Sequence, residues 1–173
     1  MKKVHVRRHA PKHATGDLTE EGRKLALELR KELKKFDIII SSDKPRAIET
    51  AQLLTGLVPE IDKRAGTPKF TPEQEHELHE LGEKHQFGIA GVILDTPHYR
   101  VMVKAQGESL AELVRETLQK LPENGSALII SHDGVMVAAE RILRSLPLNK
   151  AEKTYKPLQG FEVSENLQVI DLE

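Results

Sequence analysis

Cysteine is absent from this chain of 173 residues, and aromatic residues make up only 3% of it. Without cysteine the chain can form no disulfide bond and offers no thiolate to a metal ion. The absence fits a reducing compartment, and we expect the protein to act in the cytoplasm. Because so few side chains are aromatic, we expect a core built mainly of aliphatic residues.

The chain also lacks an excess of one charge and a long apolar run. Its 26 Lys and Arg residues nearly balance 27 Asp and Glu residues, and the formal net charge is -1. This balance gives no global attraction to nucleic acids or anionic membranes, so an anion site must be local. No apolar run approaches the ~20 residues of a spanning helix, and no secretory signal is evident. We therefore expect neither nucleic acid nor membrane as a partner.

Short aliphatic segments alternate with helical patterns along the chain. They predict strands near residues 4–6, 38–40 and 128–130, and one or two edge strands over 161–172. The β-branched run at 38–40 indicates a strand buried on both faces. Strands that alternate with helices predict a three-layer α/β/α sandwich with a mainly parallel sheet. The length fits a single domain over residues 1–173.

The helical patterns begin with a segment that Thr19 is expected to cap at its N-terminus. Its apolar face is predicted to contain Leu25, Leu29, Leu33 and Phe36. Further helices are predicted from Pro45 to Leu54, over residues 110–121, and from Val135 to Leu146.

Polar residues directly follow three predicted strands. The first strand leads into Arg8 and His9, the second into a segment that reaches Arg46, and the strand at 128–130 into His132. In open parallel sheets, functional residues gather beyond the carboxyl ends of the strands. If the three strands are adjacent, two histidines and two arginines meet at one edge of the sheet.

Such a group is suited to phosphoryl transfer. Arginine presents a planar fork of donors that matches phosphate oxygens. A neutral histidine can attack phosphorus, and a second histidine, when protonated, can donate to the phosphoryl oxygens. Nearby arginines should lower the histidine pKa values and keep the attacking imidazole neutral. This chemistry requires neither a metal nor a cofactor.

Five motifs carry a family resemblance. They are Arg8-His9-Ala10, Leu18-Thr19-Glu20-Glu21-Gly22, Ser41-Ser42-Asp43-Lys44-Pro45-Arg46-Ala47-Ile48-Glu49-Thr50-Ala51, Gly107-Glu108-Ser109-Leu110 and Ser131-His132-Asp133-Gly134. In this order they resemble the motifs of the histidine phosphatase superfamily, also called phosphoglycerate mutase-like. The resemblance spans residues 4 to about 140. It implies a phosphatase with a covalent phosphohistidine intermediate, acting on a small phosphate ester or a phosphorylated protein.

The resemblance also implies roles for individual residues. His9 corresponds to the nucleophile, and Arg8, Arg46 and His132 correspond to the phosphate pocket. Ala10 replaces the glycine that usually follows the nucleophile. Thr15 stands where many members have asparagine, and its hydroxyl can still donate one hydrogen bond to the substrate.

The sequence does not identify the residue that donates a proton to the leaving group. Members that cleave alcohol phosphates usually carry a glutamate in a Leu-x-Glu segment, for which Glu80 is the nearest match here. Glu83 is a rival because Phe87 and Gly88 follow it at almost the family spacing. Asp133 is a third candidate, since the acid phosphatase branch uses an aspartate directly after the second histidine.

Three alternatives to a phosphatase fit parts of the sequence. A zinc site is possible if the helical residues His76, His79, Glu80 and Glu83 share one face, although no third ligand segment is evident. A mutase would need further basic groups, for which Arg100 and Lys104 are the candidates. A non-catalytic phosphate-binding module would keep the pocket and lack the acid.

Residues 56–106 resemble the family least. We expect them to form an insertion over the pocket that determines the choice of substrate. The sequence leaves the oligomeric state open.

Overall fold

A computed structural model describes all 173 residues of the chain. Six strands form one sheet: β1 (Lys3–Arg8), β2 (Ile38–Ser41), β3 (Glu60–Ile61), β4 (Ser126–Ser131), β5 (Gly160–Ser164) and β6 (Val169–Leu172). Six α-helices accompany it: α1 (Glu20–Arg30), α2 (Pro45–Thr55), α3 (Pro72–Gly82), α4 (Gly88–Asp95), α5 (Pro97–Lys120) and α6 (Asp133–Leu143). A single 3₁₀ turn spans Lys63–Ala65.

The order of the strands across the sheet is β3-β2-β4-β1-β5-β6. β3, β2, β4 and β1 are parallel to one another, whereas β5 runs antiparallel to β1 and β6 antiparallel to β5. The predicted mainly parallel sheet is therefore confirmed. The C-terminal segment supplies the two antiparallel strands, of which only β6 is at the edge.

Helices cover both faces of the sheet, and alternate residues of β4 point to each face. Ala127 and Ile129 belong to an apolar cluster with α4, α5 and α6, whereas Leu128 and Ile130 belong to a second cluster with α1 and α2. α3 packs mainly on α4. The predicted three-layer α/β/α sandwich is confirmed, and most side chains of its core are aliphatic.

The apolar face predicted for α1 is partly wrong. Thr19 caps the helix as expected, accepting a hydrogen bond from Gly22 N–H, but the helix ends at Arg30 and Leu25 is 38% exposed. The buried residues of α1 are instead Gly22 and Ala26. A Cβ atom at Gly22 would lie 2.3 Å from the Pro11 carbonyl oxygen, so glycine is needed where α1 meets the segment that follows β1.

One further prediction needs adjustment. β2 is not buried on both faces along its whole length, because its outer neighbour β3 has only two residues; Ile40 is buried, but Ile38 and Ile39 are partly exposed.

The segment over residues 56–106 contains β3, the 3₁₀ turn, α3, α4 and the first part of α5. Its role over the substrate stays a prediction.

None of the six helices combines the length and the apolar character that crossing a membrane requires.

Gly107 lies where α5 packs against α6. A Cβ atom at this position would be 2.6 Å from the Cβ of Ala138 and 3.0 Å from the backbone nitrogen of Ala139. Glycine therefore permits the close approach of the two helices, which gives a packing reason for the Gly-Glu-Ser motif beginning with this residue.

In Gly107→Ala the added methyl group overpacks the helix contact, at a cost of about 1–3 kcal/mol. Alanine contributes ~1 kcal/mol over glycine inside a helix, so the free energy of unfolding is expected to fall by up to about 2 kcal/mol. Urea unfolding would measure it. Gly134→Ala is the matched control, because a Cβ atom there meets nothing closer than 3.8 Å. A Gly107→Ala protein stabilised as much as Gly134→Ala would contradict the packing argument.

Candidate active site

The carboxyl ends of β2, β4 and β1 meet at one edge of the sheet. Arg8 at the end of β1 lies opposite Ser131 at the end of β4, and Ser41 at the end of β2 lies opposite Ile130. The pairing continues one residue further, since His9 N–H donates to the Ser131 carbonyl oxygen at 3.2 Å. The parallel register therefore brings the residues that follow all three strands to the same level.

His9 follows β1 at this edge and is only 3% exposed. Its Nδ1 is 2.8 Å from the carbonyl oxygen of Ala10. Because a carbonyl oxygen only accepts, the hydrogen bond assigns the ring proton to Nδ1 and leaves the lone pair on Nε2. Ala10 N–H in turn donates to Thr50 Oγ1 at 3.0 Å, which fixes the loop after β1 to α2.

His132 is the second histidine, with its ring centroid 5.3 Å from that of His9. Arg46 Nη2 donates to His132 Nδ1 at 3.3 Å, so this nitrogen is an acceptor. The ring proton is then on Nε2, which donates to Ser42 Oγ at 2.8 Å. Both ring nitrogens of His132 thus have a hydrogen-bond partner, and the imidazole is neutral. Donation from a protonated His132 to a phosphoryl group requires this ring to gain a proton, and that role stays a prediction.

Burial and positive neighbours keep both imidazoles neutral. Desolvation is the main reason that the pKa of His9 falls to about 3, and the charges of Arg46, Arg8 and Lys12 lower it further. The pKa of His132 also lies well below its usual value, because the ring is buried beside His9 and Arg46. The expected direction of the pKa shifts is confirmed, although burial contributes more than the arginines.

Arg8 and Arg46 carry unpaired donors beside these rings. Arg8 Nη1 donates to the carbonyl oxygen of Tyr155 and lies 3.5 Å from Asp133 Oδ2. The Nε atoms of both arginines are buried and have no hydrogen-bond partner in the protein. Buried donors without acceptors are rare in proteins, and guanidinium N–H groups match phosphate oxygens. The two arginines are therefore suited to bind an anion of this kind.

Asp133, the first residue of α6, is the carboxylate that contacts this cluster. Its Oδ1 accepts from Tyr155 N–H at 2.7 Å, and its Oδ2 accepts from the Thr154 hydroxyl and from Arg8. Burial raises the pKa of the Asp133 carboxyl, while the charge of Arg8 and the two other donors oppose that rise. The carboxylate is thus engaged by three donors from within the protein.

Three residues assigned by the resemblance lie apart from the cluster. Glu80 is on the exposed face of α3, where its carboxylate is 3.9 Å from His76 Nε2. Glu83 follows the last residue of the same helix and is also exposed. Thr15 is exposed in a turn between β1 and α1. None of the three forms a hydrogen bond with the histidines and arginines described above, and their proposed roles stay predictions.

The residues that a zinc site or a mutase would use also lie outside this cluster. No group of three or more His, Asp or Glu side chains is arranged to hold a metal ion, so the zinc arrangement proposed on α3 is not supported. Arg100 donates through Nε to the Leu94 carbonyl oxygen, and Lys104 pairs with Glu108 on an exposed face of α5.

Two residues of the cluster were not predicted. Lys12 follows His9 on the loop after β1, and burial together with the charges of Arg46 and Arg8 lowers the pKa of its amine. Its position shortly after the end of β1 is the sequence feature that could have identified Lys12 as part of the cluster. Tyr155 gave no such signal, because it is 147 residues from Arg8 along the chain.

Comparison with protein families gives one match. The family model for the histidine phosphatase superfamily (branch 1) matches residues 5–161. No curated protein sequence matches the chain significantly.

Comparison with solved structures gives matches along nearly the whole chain. A mycobacterial glucosyl-3-phosphoglycerate phosphatase in complex with VO3 has a TM-score of 0.72 and 20% identity, covering 99% of this chain and 97% of its own. YhfR from Bacillus stearothermophilus has a TM-score of 0.70 and 20% identity, covering 95% and 91%. A phosphoserine phosphatase from Entamoeba histolytica, in complex with 3-phosphoglyceric acid, has a TM-score of 0.68 and 17% identity, covering 100% and 96%. At these identities the likeness shows the fold.

The free energy of unfolding is expected to fall as the pH is lowered from about 6.5 towards 3. In this window the unfolded chain protonates His9 at its ordinary pKa of 6.5, whereas the folded protein, with a pKa of about 3, resists protonation. The unfolded state therefore binds more protons, and stability drops by up to ~1.4 kcal/mol per pH unit for this histidine. Urea unfolding between pH 4 and 8 would measure the slope.

His9→Gln should reduce this slope, because the variant has no imidazole to protonate at that position. His76→Gln, which replaces a histidine with a 77% exposed side chain, is the control and should leave the slope unchanged. An identical slope in the wild type and His9→Gln would show that burial of His9 does not control stability in acid.

Proposed function

The chain belongs to the histidine phosphatase superfamily, branch 1, and on this premise we propose that it is a phosphatase. The proposed enzyme hydrolyses a phosphate monoester or a phosphohistidine through a covalent phospho-His9 intermediate. The observation that carries the proposal is a neutral, buried His9 beside two arginines whose Nε–H groups have no partner. A neutral imidazole is a nucleophile, and two guanidinium groups stabilise the phosphoryl group that it attacks.

In the first step, Nε2 of His9 attacks phosphorus in line with the departing group. The N–P bond forms while the bond from phosphorus to the leaving group breaks, and the leaving group departs with the bonding electron pair. Nδ1–H keeps its hydrogen bond to the Ala10 carbonyl oxygen, which holds the ring as positive charge develops on it. Arg8 and Arg46 bind the nonbridging oxygens of the transferring group.

In the second step, water attacks the phosphorus of phospho-His9. A P–O bond forms, the P–N bond breaks, and its electron pair returns to Nε2. The protons of the attacking water leave with the phosphate product or pass to solvent, and His9 regains its neutral form. Guanidinium groups stabilise the negative charge of the phosphoryl oxygens in both steps, so the proposed reaction uses no metal ion and no cofactor.

The substrate classes differ in how much their leaving group needs a proton donor. An alkoxide needs a proton donor, which contributes about 10²–10⁴-fold to the rate, whereas the imidazole of a phosphohistidine needs less assistance. Glu80 on α3 and Glu83 directly after that helix are both exposed, and the oxygens of Asp133 already accept three hydrogen bonds. This arrangement favours a phosphohistidine or a similarly activated phosphoryl donor.

A small-molecule alcohol phosphate is the second substrate class. It is favoured by two solved structures of the same fold, which are named as phosphatases of glucosyl-3-phosphoglycerate and of phosphoserine. For such a substrate Asp133 is the best-placed proton donor, because it lies beside Arg8 and burial raises its pKa.

His9→Ala is expected to lower the turnover of p-nitrophenyl phosphate by at least about 10³-fold, because the N–P bond cannot form. The assay buffer should contain EDTA, in which the wild type is expected to keep its activity. Mass spectrometry of wild-type protein mixed with substrate should find a phosphoryl group on His9. His76→Ala, on the exposed face of α3, serves as the control.

Undiminished activity of His9→Ala would overturn the mechanism, and loss of wild-type activity in EDTA would favour a metal-dependent reaction. Phosphate binding without any covalent adduct would indicate the non-catalytic binding module.

The rate should depend strongly on the leaving group. If no effective acid operates, kcat/KM for phosphoserine should be about 10²–10⁴-fold below that for p-nitrophenyl phosphate or a phosphohistidine peptide. Steady-state kinetics with the three substrates would measure this difference. Comparable values would show that a proton donor is at work, and Asp133→Asn would then be expected to lower the rate with phosphoserine more than the rate with p-nitrophenyl phosphate.

A further inference from the structure

Residues 153–159 form an irregular segment between α6 and β5, which we call the strap. The strap forms three hydrogen bonds with Arg8. In the backbone, Arg8 N–H donates to the Gln159 carbonyl oxygen at 2.9 Å, and Leu158 N–H donates to the Arg8 carbonyl oxygen at 3.1 Å. In the side chain, Arg8 Nη1 donates to the carbonyl oxygen of Tyr155. The guanidinium of Arg8 is therefore oriented by strap backbone. Its position depends on where the strap is held.

The strap is attached to α6 at two carboxylates. Asp133 and Glu140 are seven residues apart, which places them on one face of the helix. Asp133 accepts from the N–H of Tyr155 and the hydroxyl of Thr154, and Glu140 accepts from the hydroxyl of Tyr155 at 2.6 Å. Tyr155 thus bonds to both carboxylates while its carbonyl oxygen contacts Arg8.

The attachment at Glu140 is buried and charge-compensated. Glu140 is 3% exposed, and its carboxylate accepts from Arg144 Nε at 2.9 Å and from Lys153 Nζ at 2.8 Å. Burial and the neighbouring carboxylate raise the pKa of the Tyr155 phenol, so it remains a donor over the working pH range. A buried hydrogen bond to a charged acceptor is among the stronger ones.

A carbonyl oxygen is a suitable partner for an arginine that must bind phosphate. It fixes one N–H of the guanidinium without neutralising its charge, whereas a bidentate carboxylate would consume both the charge and the fork. Arg8 Nε stays unpaired, and the Asp133 oxygen lies at the long distance of 3.5 Å. The strap therefore orients Arg8 and leaves most of its charge and donors available.

We propose that Tyr155 is a positioning residue of the phosphate pocket: through its hydroxyl bond to Glu140 it holds the strap so that its carbonyl oxygen orients Arg8. This inference rests on the proposed function, because it assumes that Arg8 binds the phosphoryl group. Tyr155 touches no reacting atom and acts through Arg8.

Tyr155→Phe tests the proposal, with Tyr99→Phe as a matched control. Tyr99 is also buried, and its hydroxyl also donates to a carboxylate, that of Glu77, but it lies on α5 and does not contact Arg8. Isothermal titration with inorganic phosphate should find a Kd raised about 5- to 10-fold in Tyr155→Phe and within about 2-fold of wild type in Tyr99→Phe. In turnover assays the KM should rise more than kcat falls.

A double-mutant cycle tests whether the effect passes through Arg8. In an Arg8→Lys background the guanidinium is absent, so adding Tyr155→Phe should change the phosphate Kd by less than about 2-fold. Thr154→Val, which removes the hydroxyl bond to Asp133, should weaken phosphate binding in the same direction as Tyr155→Phe. It provides the test if Tyr155→Phe fails to fold.

The outcomes separate the two proposals. Failure of the wild type to bind phosphate would overturn the proposed function. Phosphate binding by the wild type with equal affinities in Tyr155→Phe and Tyr99→Phe would overturn the positioning role alone. The same conclusion would follow if Tyr155→Phe had its full effect in the Arg8→Lys background.

Discussion

The parallel pairing of β1 with β4, and of β4 with β2, is the constraint on which the candidate site depends. Because Arg8 lies opposite Ser131, the two histidines leave the sheet at the same level and their rings lie 5.3 Å apart. The alternation of β4 side chains between two apolar clusters fixes this register, since a slip of one residue would exchange Ile129 and Leu128 between the clusters. The packing that stabilises the sheet therefore also sets the geometry of the site.

The site concentrates positive charge in a protein whose formal net charge is only -1. Arg8, Arg46 and Lys12 surround His9, and Asp133 is the carboxylate in contact with them. Holding these cations together without equal negative charge costs stability, and so does burying the unpaired Nε–H groups. An anion that binds between the arginines would relieve both costs, which is the physical basis of the proposed preference for a phosphoryl group.

Contacts far apart in the chain support this local arrangement. α6 carries Asp133 at its first turn and Glu140 two turns later, and it is held against α5 where Gly107 allows close approach. Through Tyr155 the same helix holds the strap that contacts Arg8. The orientation of Arg8 is thus connected to the packing of α5 on α6, although neither helix supplies an oxygen to the arginine except through Asp133.

Several features could be predicted because they arise from local pattern. Aliphatic runs identified β1, β2 and β4, and the polar residues directly after them identified His9, Arg46 and His132 as neighbours. The rule that parallel strands share one functional edge was enough to join them. The face of α1 was predicted only in part, because helical spacing cannot choose between the stripe that contains Leu25 and the one that contains Ala26. The packing of the helix against the rest of the fold decides between them.

Local sequence pattern was enough to predict β1, β2 and β4, the polar residues that follow them, and hence the side chains that we propose bind phosphate. The tertiary structure decided which nitrogen of each imidazole carries the proton, that Asp133 is engaged by three donors, and that Glu80 lies on a solvent-facing helix. It also decided the partner of Arg8. The reason is physical: strand ends and motifs are set by neighbouring residues, whereas hydrogen-bond partners and burial depend on residues such as Tyr155, which only folding brings to the site.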